Sequence, residues 1–364
     1  MIPVAAPHAA FSRHRAALDA AYRRVLDSGR YILGPEVAAF ESEFAAQYEL
    51  GAAAGVANGT EALWLALRAA KVGPNDEVIL PTLTASATAA AVVECGARPV
   101  FADVAPADLN LNPTELAKHL TPHTHAIIAV HLYGNPADLT ALAAFCASHN
   151  LQLIEDCAQA HGARHAGRSV GTFGRAAAWS FYPTKNLGAL GDGGLVTSLD
   201  LALVARAREL REYGWRDRFV SAEPGWNSRL DEMQAAFLRA RLPYLEADHA
   251  RRRGLAAAYR AALPARLHCL QARPDDLGVE HLFVVQAPNR EHFRSHLRAA
   301  GVATAIHYPV PLHLQPAYAS LGGGPGSLPV AEAASAQVVS LPMYPELTDA
   351  EVAQVAGAIA SYSP

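Results

Sequence analysis

The stretch Ser180–Gly194, SFYPTKNLGALGDGG, sets a lysine behind two aromatic residues and a proline and ahead of a glycine-rich turn. Between Ala176 and Gly194 only Lys185 and Asp192 carry charge. Lysine ordinarily keeps its ammonium in water. An apolar, water-poor setting pulls its pKa down and makes it a neutral amine that attacks carbonyls, so Lys185 is a candidate Schiff-base former. Taken alone, the same residues also describe a loop lysine that points to solvent.

Two further stretches carry complementary chemistry. In LIEDCAQAHGA (Leu153–Ala163), Asp156 follows an apolar run directly. That order predicts the carboxyl end of a parallel strand, the edge at which open α/β sheets bind ligands. A carboxylate there can hold a protonated pyridine nitrogen, and Gln159 can hydrogen-bond the same ring. The alternative for Asp156 is a helix N-cap. In GVANGTEALWLALRAA (Gly55–Ala70), a small-residue turn opens a helix and leaves backbone N–H groups at the positive end of its dipole. Gly59 and Thr60 would supply amides to a phosphate, and Thr60 and Ser180 hydroxyls. An ordinary helix capped by Asn58 or Thr60 remains the other reading. Together the three stretches form a phosphate cup, an acid for a ring nitrogen and an amine for an aldehyde, the set that pyridoxal phosphate requires.

The elements that must position these groups alternate. Helical patterns cover Ala38–Tyr48, Thr60–Ala70, Ala85–Glu94 and Leu139–His149. Strand patterns cover Glu77–Leu80, Pro99–Phe101, Ala126–Val130, Leu151–Glu155, Ala177–Phe181 and Gly194–Thr197. This order predicts an α/β domain with a mostly parallel sheet flanked by helices. Beyond Gly225 come long helices over Leu230–Arg241 and Ala247–Leu263. A smaller α+β region follows, with a strand at His281–Gln286, a helix at Arg290–Ala300 and a last helix from Thr348. The expected division is a large domain over 1–248 and a small C-terminal domain over 249–364.

Composition excludes several classes. The chain has 364 residues, 51% of them hydrophobic and 18% charged, which is enough apolar material for a large core. A net charge of -4 gives no general attraction for nucleic acid, and Arg251–Arg253 reads as a solvated helix face. No apolar run is long enough to span a membrane, and MIPVAAPHAAFSRHR lacks the pattern of a signal peptide. The four cysteines include no C-x-x-C pair, so a reducing cytoplasm is expected. His161 and His165 are spaced i,i+4, but no HExxH pattern exists and no metal is expected.

The chain resembles the DegT/DnrJ/EryC1/StrS family of sugar aminotransferases, pyridoxal phosphate enzymes of fold type I. The resemblance is carried by GPEVAAFESEFA, ANGTEAL, GPNDEVILPTLT, GARPVFADV, HLYGNPADL, IEDCAQAHGA, SFYPTKNLGALGDGG, GWNSRLDEMQAAFL and IHYPVPLH, over nearly the whole length. It implies that Lys185 carries the cofactor, that Asp156 pairs its ring nitrogen and that Gln159 contacts the ring. It further implies that Gly59, Thr60 and Ser180 hold the phosphate. Asn227 would reach the phosphate of a neighbouring subunit, which makes the protein a homodimer with shared sites. One position departs: where the family usually carries an aromatic residue over the cofactor ring, this chain has Ala85.

The resemblance also implies ping-pong transfer of an amine from L-glutamate to a nucleotide-linked keto sugar. GVATAIHYPVPLH, REYGWRDRF and the tyrosine before PTKN resemble the branch that aminates dTDP-linked 3-keto-6-deoxyhexoses. Tyr182, His307 and Tyr308 are then expected at the substrate, and Arg211 or Arg229 at a carboxylate or diphosphate. A structural ion pair of Arg229 with Asp231 or Glu232 is the competing expectation. The rival functions are a 4-keto-sugar or cyclitol aminotransferase and a non-catalytic, cofactor-retaining regulator.

Overall fold

Seven strands form the central sheet of the computed structural model, which describes residues 1–363. They are β1 (Ala52–Val56), β2 (Glu77–Pro81), β3 (Arg98–Ala102), β4 (Thr124–Val130), β5 (Gln152–Asp156), β6 (Ala176–Ser180) and β7 (Gly194–Ser198). The order across the sheet is β1-β7-β6-β5-β4-β2-β3. The run β6-β5-β4-β2-β3 is parallel. β7 lies antiparallel between β6 and β1.

Helices cover both faces, so the central strands are apolar almost throughout. Side chains alternate across the pleat. Val78, Leu80, Ile128 and Ile154 join the core on one face with Leu63 and Leu67 of the helix Gly59–Ala69. Ile79, Ile127, Leu153 and Trp179 join the other with Phe40 and Phe44 of the helix Pro35–Tyr48. The same alternation splits the adjacent acids of β5. Glu155 is sealed in the core, accepting from the backbone N–H of Gly171, Phe173 and Gly174, while Asp156 turns the other way.

The C-terminal region has its own three-stranded antiparallel sheet, His268–Cys269, Phe283–Gln286 and Val338–Leu341. The helices Leu245–Ala262, Arg290–Ala299 and Asp349–Ala360 pack around it. Thr348 and Glu351 close a capping box on the last helix. Ile2 is buried in this same core and bridges Val302, so the first residues pack with the C-terminal region.

β1 carries no strand signal in its sequence, AAAGV, because small residues have low β-propensity. Its pairing with β7 makes it a strand. The helix Arg15–Ser28 is likewise unannounced, and it packs Leu18, Ala21 and Val25 on Ala236 and Phe237. The Arg251–Arg253 run is not one solvated face. Arg252 is buried and donates to Met343 O at 2.8 Å, while Arg251 reaches Asp349 and Arg253 reaches Glu246.

Candidate active site

β6 delivers the lysine. Phe181, fully buried, packs edge-on against Phe40 and Phe44 and anchors the start of the loop. The chain then turns: Lys185 N donates to Tyr182 O at 2.8 Å, and Ala189 N donates to Phe181 O at 2.7 Å. The turn needs glycine at 188, because a Cβ there would lie 2.4 Å from Pro183 O. Buried Asn186 ties the loop to the C-terminal region. Its Nδ2 donates to Val279 O at 3.0 Å and its Oδ1 accepts from His281 Nδ1 at 3.1 Å.

Lys185 is half-buried and lines a cavity of about 760 Å³. Burial pulls its pKa from 10.5 down to about 8, against the opposing pull of the Asp156 charge. The amine is thereby brought much nearer to its neutral form at physiological pH than an exposed lysine is.

Asp156 is the last residue of β5 and lines the same cavity. Its orientation is held from two sides. Thr88 Oγ1 donates to Oδ2 at 3.0 Å, and Ala158 N donates to Oδ1 at 3.2 Å. Gln159 is locked as well. Its Oε1 accepts from Tyr133 N at 2.6 Å and its Nε2 donates to Tyr308 Oη at 3.2 Å.

At the helix Gly59–Ala69 the cap is Asn58, whose side chain accepts from Glu61 N at 2.9 Å. A Cβ on Gly59 would lie 2.5 Å from Ser180 Cβ and 2.9 Å from its Oγ. Glycine at 59 thus lets the helix start and the Ser180 hydroxyl share one cradle. Gly59, Thr60 and Ser180 line the cavity together with Lys185 and Asp156.

The description "DegT/DnrJ/EryC1/StrS aminotransferase family" matches residues 13–360. The chain belongs to this family. The dTDP-3-amino-3,4,6-trideoxy-alpha-D-glucose transaminase of Streptomyces venezuelae is 48% identical over 358 residues, covering 98% of this chain and 94% of its own. The solved structure of S. venezuelae DesV in complex with a ketimine intermediate matches with a TM-score of 0.96 at 48% identity, covering 99% of this chain and 97% of that one. The structure of ntda from Bacillus subtilis, with bound cofactor PMP, matches with a TM-score of 0.89 at 26% identity, covering 95% and 81% of the two chains.

Members of the family are pyridoxal phosphate enzymes, and the residues here fit that cofactor. The glycine-bared helix start and Ser180 form a cradle for a phosphate. The buried, doubly held carboxylate of Asp156 suits a protonated ring nitrogen. Ala85 caps the helix Ser86–Glu94 and lines the cavity, as does Ala158.

Of the other expected residues, Tyr182, His307 and Tyr308 line the cavity. Tyr182 is exposed at 53%, whereas His307 bonds Ser340 Oγ through Nδ1 at 2.8 Å. Asn227 does not line it. It is exposed and its backbone bridges Glu212. Arg211 is not at a ligand: it is buried and donates to Glu41 Oε1 at 2.6 Å and Gly55 O at 2.8 Å. Arg229 makes no ion pair with Asp231 or Glu232 among the described residues. Glu232 instead accepts from the backbone N–H of Gly34, Glu36 and Val37. His161 is packed among Phe44, Trp179 and Phe181, and His165 bonds Asp276 at 2.6 Å and Thr140 at 2.8 Å.

Thr88 and Tyr133 escaped the sequence reading. Thr88 lies three residues past Ala85, one helical turn into a helix whose start faces the cavity. That spacing is a usable signal once Ala85 is placed at the site.

Proposed function

We propose that this chain is a pyridoxal phosphate-dependent aminotransferase that moves an amine from L-glutamate to a dTDP-linked 3-keto-6-deoxyhexose, in deoxyaminosugar biosynthesis. The observation that carries the reading is one cavity lined by a pKa-lowered lysine, a buried carboxylate and a glycine–serine cradle. The 48% identity to a dTDP-amino-sugar transaminase supports the nucleotide and the position of the amine.

When bound, the cofactor supplies the electron sink for the carbanion that transamination passes through. The protein does the rest. The backbone N–H groups of Gly59 and Thr60 and the Ser180 hydroxyl take the phosphate. Asp156, held by Thr88 and Ala158, would hold the ring nitrogen and favour its protonated form. Gln159 and Tyr308 bound the site on the side of the C-terminal region. Lys185 Nζ would take the proton from the donor carbon and return one to the sugar carbon. Its pKa near 8 suits both tasks close to neutral pH.

The protein works as a cytoplasmic homodimer in which Asn227 reaches the phosphate in the neighbouring site. Asn227 is exposed and does not line the cavity of its own chain, which leaves it free to serve a neighbouring one. Four free cysteines suit a reducing compartment. No described helix is long and apolar enough to cross a membrane. The large domain runs over 1–248 and the small one over 249–364, meeting inside the helix Leu245–Ala262, except that the first residues, Ile2 among them, pack into the core of the small domain.

The test is reconstitution with pyridoxal phosphate, L-glutamate and dTDP-3-keto-6-deoxyglucose, with the product carbon located by NMR. A 3-amino product is expected. No amination of this acceptor alongside amination of the 4-keto isomer would overturn the regiochemistry.

A further inference from the structure

Tyr133 directly follows the His131–Leu132 pair at the end of β4, in the stretch HLYGNPADL. It is 3% exposed, and its backbone sits at φ 59, ψ 12, a left-handed conformation unusual for a bulky residue. Such a residue persists only where its surroundings over-determine it. Here they do, because each of its polar groups is tied to a different wall of the cavity. Its N–H donates to Gln159 Oε1 at 2.6 Å. Its carbonyl accepts from Leu282 N at 3.2 Å. Its hydroxyl donates to the carbonyl of His307.

The first of these bonds has a directional consequence. A backbone N–H can only donate, so it must face the oxygen of the Gln159 amide. The amide nitrogen then faces Tyr308, and Nε2 donates to Tyr308 Oη at 3.2 Å. Tyr308 Oη is thereby the acceptor in that bond, and its own proton is left for another partner. Tyr308 lines the cavity, so that proton is available to a cavity ligand. The Tyr133 hydroxyl holds the neighbouring peptide, His307, and so sets where the Tyr308 ring stands. We propose that Tyr133 is a positioning residue for the acceptor sugar, clamping Gln159 and the His307–Tyr308 segment so that Tyr308 donates its phenolic proton to a sugar oxygen. Burial pushes the Tyr133 phenol well above its usual range and that of Tyr308 up to about 12, so both remain donors across the working pH.

The proposal rests on the nucleotide-sugar reading, and one experiment separates the two. Tyr133→Phe keeps the ring and both backbone bonds and removes only the tether to His307. Wild type, Tyr133→Phe, Tyr308→Phe and the double variant are compared as cofactor-loaded enzymes. KM for the keto sugar is expected to rise about tenfold in each single variant, the effect of one lost hydrogen bond. The L-glutamate half-reaction should lose clearly less than the sugar half-reaction in both single variants. Titration with the dTDP-amino-sugar product should show the same weakening, and titration with dTDP alone should show none. The double variant should be no worse than Tyr308→Phe, because Tyr133 acts through Tyr308. If Tyr133→Phe does not fold, Tyr308→Phe still tests the donated proton, since it leaves every Tyr133 tether in place.

Equal losses in both half-reactions, additive effects in the double variant, or unchanged sugar affinity would each overturn the clamp. A wild-type protein that binds dTDP but neither aminates nor binds any dTDP-sugar would overturn the functional reading, and the clamp with it.

Discussion

Thr88 donates its only hydroxyl proton to Asp156 Oδ2 at 3.0 Å, from a helix that Ala85 caps. Thr84 lies 3.0 Å from the same hydroxyl oxygen, so Thr84 is the donor in that bond. A two-hydroxyl chain therefore runs from the Pro81–Thr84 turn to the carboxylate at the end of β5. The segment that carries Ala85 is thus the one that orients Asp156. Thr88→Val keeps the shape and removes the donor. Cofactor affinity should fall about tenfold or more, the range for hydrogen bonds to a charged group. Absorbance titration with pyridoxal phosphate measures it, and an unchanged affinity would show that Ala158 N alone suffices.

Lys185→Ala should lower turnover by about a thousandfold or more, the range for a lost acid–base group. The apo protein should melt no lower than wild type, since removing a partly buried ammonium relieves its desolvation. Single-turnover assays and thermal melts check the two halves. Retained turnover would remove Lys185 from the chemistry.

The lysine also predicts a pH dependence. Its pKa is lowered from 10.5 to about 8, so below pH 8 the amine is increasingly ammonium and cannot take a proton. The rate of the donor half-reaction should therefore climb with pH and level off above about 8. Stopped-flow measurements of that half-reaction between about pH 6 and 9.5 trace the curve. A rate flat across that range would assign the proton transfer to another group.

Gly59→Ala would set a Cβ 2.5 Å from Ser180 Cβ. The cradle must open, and the phosphate loses its amides. Affinity for pyridoxal phosphate should fall at least about tenfold while affinity for pyridoxal, which has no phosphate, stays near wild type. Parallel titrations separate this from general damage, in which both ligands weaken.

Ala85→Phe restores an aromatic ring at a residue that lines the cavity. Tighter cofactor binding is expected if that face of the ring is open. Weaker binding would show that another group already covers it.

Much of the site could be read along the chain because its parts are local. A lysine among apolar residues, an acid ending a strand and a small-residue turn opening a helix each fit within about one element. The parallel sheet was legible for a related reason: strands buried on both faces carry continuous apolar runs such as AIIAV (Ala126–Val130) and VIL (Val78–Leu80). β1 was not, since AAAGV becomes a strand only by pairing with β7. Arg211 and Arg252 misled as well. Charge marks a residue for the surface or a ligand, and only packing shows that carbonyls and Glu41 await them inside.

The sequence alone determined which chemical groups this protein owns and the family they match. The tertiary structure decided which way each group faces and what holds it. Glu155 and Asp156 are neighbours in the chain, yet the strand pleat sends one into the core and the other into the cavity. Thr88 reaches Asp156 from 68 residues away, and Tyr133 reaches His307 from 174. Residue type and local spacing fix what a side chain can do. Hydrogen-bond direction depends on which partner arrives from elsewhere in the chain, and only the folded arrangement supplies that partner.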